Sequence, residues 1–178
     1  MELVVAPFRP EAEAEALAAW IAADHWPFHG SPRPSLLRVR GWIAAGRFHG
    51  PEARSFWLRA PGGEPAGFLA LQELEDPTPV FDLRVATPWR RRGVGRRALE
   101  LVADHALREL GRPRVEAHTR ADNAPMRALL RATGWVQEAH HRRAWPDEAG
   151  ALHDAVTYAL LREDHQRGTR TPVPPLEP

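Results

Sequence analysis

The feature that most restricts this chain is a ten-residue stretch, Ala86-Thr87-Pro88-Trp89-Arg90-Arg91-Arg92-Gly93-Val94-Gly95, between a strand-like and a helix-like run. Before it, Val80-Phe81-Asp82-Leu83-Arg84-Val85 alternates apolar and charged residues, the pattern of a half-exposed strand. After it, residues from about Val94 to Leu110 repeat at helical spacing, with Ala98, Leu101, Val102 and Leu110 on one side and Gly111 to end the run. A strand, a glycine turn and a helix in that order gather the unpaired N–H groups of the helix's first turn, and the positive end of its dipole, at one point. Gly93 and Gly95 carry no Cβ, so a ligand can approach the backbone, and arginines 90 to 92 add charge. The stretch therefore predicts a phosphate-binding turn. It is not a P-loop, because no lysine followed by serine or threonine closes it. It is not a dinucleotide fingerprint either: Ala98 stands where a third glycine belongs, and helices and a hairpin precede a turn that would open such a fold.

Elsewhere the elements follow from periodicity and punctuation. Leu3-Val4-Val5 reads as a strand stopped by Pro7, and Pro10 to Ala23 as a helix with Ala14, Leu17, Ala18 and Ile21 on one face. Prolines break Asp24 to Pro34 into a loop, and Leu36 to Ala45 resumes as a helix with Leu36, Val39, Ile43 or their neighbours inward. Ser55 to Ala60 and Pro65 to Gln72 flank the turn Pro61-Gly62-Gly63-Glu64 as a hairpin. Arg114 to Thr119 is a strand, and Pro125 to Thr133 a helix capped by Asp122 or Asn123. Trp135 to His141 and Ala155 to Leu161 complete the strands. At 178 residues the chain predicts one α/β (α+β) domain over 1–164, a mixed, mostly antiparallel sheet flanked by helices. Residues 165–178 form a proline-rich tail expected to be disordered.

Composition excludes several functions. With 24 basic residues, all arginine, against 23 acidic ones, the formal charge of +1 predicts no bulk attraction to nucleic acid or membrane. No cysteine is present, so a disulfide framework, a thiolate zinc site and a cysteine nucleophile are out. No apolar window is long enough to span a membrane, and Met1 to Pro10 does not read as a signal peptide, so a cytoplasmic location is expected. His25 and His29 are separated by proline and lack an acidic third ligand, and His140-His141 reads as a solvated strand end, so no metal is expected.

With the turn in hand, a resemblance emerges. Val85 to Leu99 resembles the acetyl-CoA-binding motif of the GNAT superfamily of N-acetyltransferases, Arg or Gln, two variable residues, Gly, one variable residue, then Gly or Ala, which Arg90, Gly93 and Gly95 match. Asn123, the short helix after it and Thr133-Gly134-Trp135 are similar to the family's second motif. The branch with ribosomal-protein and aminoglycoside N-acetyltransferases is the one it looks like. The resemblance implies acetyl-CoA as co-substrate, with the main chain of Val85 holding the thioester and pantetheine arm. It further implies pyrophosphate on the amides of Arg91, Arg92, Gly93, Val94, Gly95 and Arg96, and Asn123 on the pantetheine. His25, Trp26, Phe28 and His29 fall where the family's acceptor loop lies.

The chemistry needs a group to take a proton from the attacking amine. His118, five residues before Asn123, stands where similar ribosomal-protein enzymes carry a glutamate base, and Asp82 is a second candidate, although an ion pair with Arg84 competes for it. The family's frequent acid, a tyrosine, is replaced by Leu130, and Tyr158 reads as packing. With no cysteine to carry acetyl, direct transfer to a primary amine of a small molecule or protein N-terminus, by a monomer or homodimer, is the leading reading. A catalytically weak CoA-binding sensor is the alternative. Nucleic-acid binding through Arg84 and Arg90 to Arg97 is a third and weaker one.

Overall fold

The computed structural model describes residues 2–175. Four strands, β1 (Val4–Pro7), β2 (Ala53–Arg59), β3 (Pro65–Gln72) and β4 (Val80–Val85), form one antiparallel sheet in the order β1-β2-β3-β4. Three more, β5 (Arg114–Arg120), β6 (Val136–Pro146) and β7 (Leu152–Leu161), form a second in the order β5-β7-β6. Helices α1 (Pro10–Ala22), α2 (Leu36–Ala44), α3 (Val94–Ala103), α4 (Ala124–Ala132) and α5 (Arg162–Arg167) surround them, and α3 runs on as a π-helical stretch, Asp104–Glu109. This is the mixed, antiparallel α/β architecture expected.

Strand alternation sends the first sheet's side chains into two cores. Trp57, Phe68 and Ala70 pack under Leu17, Ala18 and Ile21 of α1 and Val39 and Ile43 of α2. Phe56, Leu69 and Leu71 point the other way, onto Leu99 and Val102 of α3 and onto Val115 and Tyr158 of the second sheet. Of the α2 residues expected inward, Val39 and Ile43 are buried and Leu36, the first residue of the helix after its Ser35 cap, is exposed.

Among the described residues the two sheets are joined by one backbone hydrogen bond, from Glu116 N to Pro79 O, just before β4, at 3.0 Å. From that link β4 and β5 run on with no further backbone pairing between them among the described residues. The gap that opens toward their C-terminal ends positions everything functional.

Two segments depart from the sequence reading. The last hairpin is longer than its apolar residues suggest, since β6 continues to Pro146 through a bulge that carries Arg143 at φ 53. Backbone pairing holds this arm, so apolar alternation does not mark it. Past residue 164 the chain continues as α5, ended by Gly168, and the buried Asp164 carboxylate accepts hydrogen bonds from Thr169 Oγ1, Thr171 Oγ1 and Thr171 N. Residues 176–178 of the proline-rich tail lie outside the described residues. Among the described residues no helix is long and apolar enough to cross a membrane.

Phe68 is 1% exposed and meets Phe8, Phe48 and Trp57 edge to face. Phe68→Ala is expected to lower unfolding free energy by about 3–5 kcal/mol, read as a fall in urea midpoint with an unchanged slope.

Candidate active site

The arginine-glycine turn begins where β4 ends. Ala86 N donates to Ala66 O at 3.0 Å, which makes Ala66 and Ala86 the hydrogen-bonded register, and Val85 lies opposite Gly67 in the non-hydrogen-bonded one. The N–H and C=O of Val85 therefore face away from β3, into the gap. After a short 3-10 turn, Thr87–Trp89, the backbone enters left-handed conformations at Arg91, φ 61, and Gly93, φ 87, and α3 starts at Val94. The first backbone amide captured by the helix is that of Arg97, bonded to Gly93 O. Those of Arg91 to Arg96 find no acceptor among the described residues, which leaves a row of donors at the positive end of a helix dipole. Gly95 lies against α4, and a Cβ on it would fall 2.8 Å from Leu129 Cδ2.

Two braces fix this turn to the loop after α1. The Asp24 carboxylate accepts from Thr87 N at 2.7 Å and Thr87 Oγ1 at 2.6 Å; burial alone would raise its pKa, and these bonds outweigh burial and lower it. Arg90 donates Nε to Val85 O at 3.0 Å and Nη2 to His25 O at 2.6 Å. The guanidinium of Arg90 is thus turned inward as a clamp. Its amide precedes the free row, so its contribution to an anion site is the shape of the turn.

The gap holds two cavities. One, of about 560 Å³, runs along the turn, with Gly93, Gly95, Arg91 and Arg96 on one side and apolar Trp26, Val85 and Leu129 on another. The other, of about 470 Å³, lies under the α1–α2 loop and takes in Asp82, Arg47, Trp42, His118 and Trp145. Phe28, His29, Leu83, Asn123 and Met126 border both, so the cavities meet there. The first has the chemistry of a long ligand with an anionic end and an apolar arm.

Asn123 caps α4, its Oδ1 accepting from Met126 N at 3.3 Å while its Nδ2 donates to Thr119 Oγ1 at 2.9 Å. One amide hydrogen remains for a ligand. His118 is held at both nitrogens, Nε2 3.1 Å from Glu116 and Nδ1 3.1 Å from Thr157 Oγ1, and that hydroxyl also lies 3.0 Å from His141 Nε2. His118 thus opens a chain of exchangeable protons that leads out of the second cavity.

Asp82 is the centre of a buried charge cluster, with His29 Nε2 at 3.1 Å, Arg47 at 3.2 Å and Arg84 at 3.3 Å. Burial would raise its pKa, but Arg84, His29 and Arg47 together outweigh burial and hold the carboxyl far below the usual range. A carboxylate so stabilised keeps its negative charge, which weakens it as a proton acceptor.

The four loop residues singled out in the sequence are placed differently. Phe28 and His29 reach the junction, whereas Trp26 is 1% exposed, bonds Ile21 O through Nε1 and belongs to the helical core and the first cavity's wall. His25 lines neither cavity, because the Arg90 clamp takes its carbonyl. Tyr158 is fully buried and hydrogen-bonded to Gln137, and Leu130 is core. A basic nucleic-acid face loses Arg84 to burial and Arg90 to its clamp. Sequence reasoning missed Asp24, Arg47 and Trp42, none of which stands in a motif. It also missed the contact across the second cavity's rim, where Ser31 Oγ bonds Glu148 of the β6–β7 turn.

The sequence profile of the acetyltransferase (GNAT) family matches residues 15–135. Similar solved structures include mutant forms of the spermidine/spermine N-acetyltransferase SpeG from Vibrio cholerae, at 15% identity and TM-score 0.76, over 95% of this chain and 100% of that one. A chimera of Vibrio cholerae spermidine N-acetyltransferase SpeG with hSSAT gives 15% identity and TM-score 0.80, over 93% and 99%. An acetyltransferase candidate from T. thermophilus gives 20% identity and TM-score 0.74, over 94% and 92%. At these identities the likeness establishes the fold. No curated protein matches the sequence.

Asp82→Asn leaves two buried or half-buried guanidiniums without their counter-charge and is expected to cost about 3–5 kcal/mol of stability at neutral pH. Because the folded-state pKa is depressed, that contribution is complete above the unfolded carboxyl value and fades as pH falls. The gap between wild type and variant in denaturant titrations should narrow below about pH 4.

Proposed function

The chain belongs to the acetyltransferase (GNAT) family, acetyl-CoA-dependent N-acetyltransferases, and on that premise we propose that it passes acetyl directly from acetyl-CoA to a primary amine in a ternary complex. The observation that carries this reading is the meeting of two cavities at the gap between β4 and β5, one built for a phosphate-bearing ligand and the other lined by titratable side chains. The residues present fit the cofactor: free amides at Arg91 to Arg96 suit its pyrophosphate, and the outward N–H of Val85 with the spare hydrogen of Asn123 suits the carbonyl groups of the pantetheine arm. Bound there, acetyl-CoA supplies an activated acyl group on a good leaving thiolate.

In the transfer, the amine nitrogen's lone pair bonds the thioester carbonyl carbon, the carbon–sulfur bond breaks, the nitrogen loses a proton and the thiolate gains one. His118, in the acceptor cavity, takes the first proton at Nε2 once that nitrogen turns from Glu116 to the amine, and gives up its Nδ1 proton outward through Thr157 and His141. His29 is the titratable side chain that borders both cavities, and it returns a proton to the thiolate. The likeness to enzymes named for spermidine raises a polyamine as acceptor, yet arginines dominate this acceptor cavity.

Turnover followed by release of free thiol, with a panel of primary amines, tests the reading. The sensor alternative predicts stoichiometric acetyl-CoA binding without amine-dependent release. Gly93→Val forces a β-branched residue into a left-handed conformation and should abolish micromolar acetyl-CoA binding in calorimetry. His118→Ala should lower kcat by more than about tenfold with acetyl-CoA affinity unchanged, and an unaltered rate at every pH would remove His118 from the mechanism.

A further inference from the structure

The charge of the acceptor cavity is unbalanced. Among the described residues lining it, Arg38, Arg47 and Arg84 face a single carboxylate, Asp82. Asp82 is already shared by Arg47, Arg84 and His29. Arg84 is 2% exposed, and its Nε and Nη1 have no hydrogen-bond partner, while its guanidinium lies 5.3 Å from the Trp26 ring and 5.9 Å from that of Trp42. His29 Nδ1 is likewise buried without a partner. The nearby acids do not restore the balance. Glu116 is engaged by His118 and Arg114, and Glu148, at the rim, reaches Arg38 only at 3.8 Å with both side chains about half exposed to solvent.

Excess positive charge in a partly desolvated pocket attracts an anion and repels a cation more strongly than it would in open water. Arg47, with 39% of its side chain exposed, is the member that a ligand can touch directly, and its planar fork matches a carboxylate. Arg84 sits beneath as fixed charge. The same field disfavours an ammonium and so helps present the reacting amine in its neutral, nucleophilic form.

From this cluster we infer that the acceptor is a primary amine carrying a carboxylate at its far end, gripped by Arg47 with Arg38 at the rim, and that polycationic amines are excluded. The inference rests on the transfer reading above. The chemistry is unchanged: the amine nitrogen gains the acetyl carbon and loses a proton as the thioester C–S bond breaks and the thiolate is protonated.

Matched acceptors that differ at the far end separate the possibilities: γ-aminobutyrate against putrescine, and ε-aminocaproate against hexamethylenediamine. The wild-type protein is expected to favour the carboxylate member of at least one pair by about tenfold or more in kcat/KM. Arg47→Glu should cut that ratio by about tenfold, and Arg38→Glu, at a more exposed position, should cut it in the same direction if the first variant folds poorly. Acetyl-CoA affinity, measured separately by calorimetry, should hold in both. Equal or better use of the diamines, a ratio that neither variant moves, or transfer to none of the four by a protein that binds acetyl-CoA would overturn the inference. Failure of the wild-type protein to bind acetyl-CoA would instead sink the transfer reading beneath it.

Discussion

The functional architecture depends on a ladder that stops. Antiparallel pairing satisfies backbone groups strand by strand, and a buried N–H or C=O left over is costly. Here β4 and β5 share one bond, Glu116 N to Pro79 O, and then part. Past it the outward N–H of Val85 and the first-turn amides of α3 are left facing a cleft, while the Val85 carbonyl is taken by Arg90, and a cofactor with amides along an arm and phosphates at its end is the kind of ligand that completes them. The braces from Asp24 and Arg90 keep the cleft open by fixing the α1–α2 loop to the turn. Folding and binding thus meet in the same unpaired groups.

The acceptor side follows a different physics. Its walls are set by charge more than by backbone, with Asp82 at the centre of three basic side chains. Removing such a carboxylate from water is unfavourable, and the pairings offset it, so the cluster is rigid and its excess charge is fixed before any ligand arrives. On the reading proposed above, a preorganised field of this kind would select acceptors by sign, with Phe28, Trp42 and Trp145 adding shape.

Local rules made the cofactor half legible. Two glycines, a run of arginines and the strand-to-helix order lie within a short span of chain, and each constrains the backbone directly. The helix α1 and the Asn123 cap were readable for the same reason. The second cavity was legible only in part: Asp82, His118, Phe28 and His29 were singled out, but Arg47 and Trp42 join Asp82 only through tertiary packing, and nothing in the spacing of Arg47 distinguishes it from a surface arginine. For His25 the structure shows a use of which its place in the sequence carries no sign, since its carbonyl accepts from Arg90. The ordered stretch around Asp164 was hidden because one carboxylate with three hydrogen bonds holds it, and burial of apolar surface does not.

The central claim is that the free amides at the start of α3 hold the pyrophosphate of acetyl-CoA in the cleft beside β4. Amide hydrogen exchange with and without saturating acetyl-CoA tests it most directly. Protection concentrated at residues 91–96, with a smaller effect at the end of β4 and around Asn123, is the predicted result. Binding that protects other segments and leaves 91–96 unchanged would contradict it.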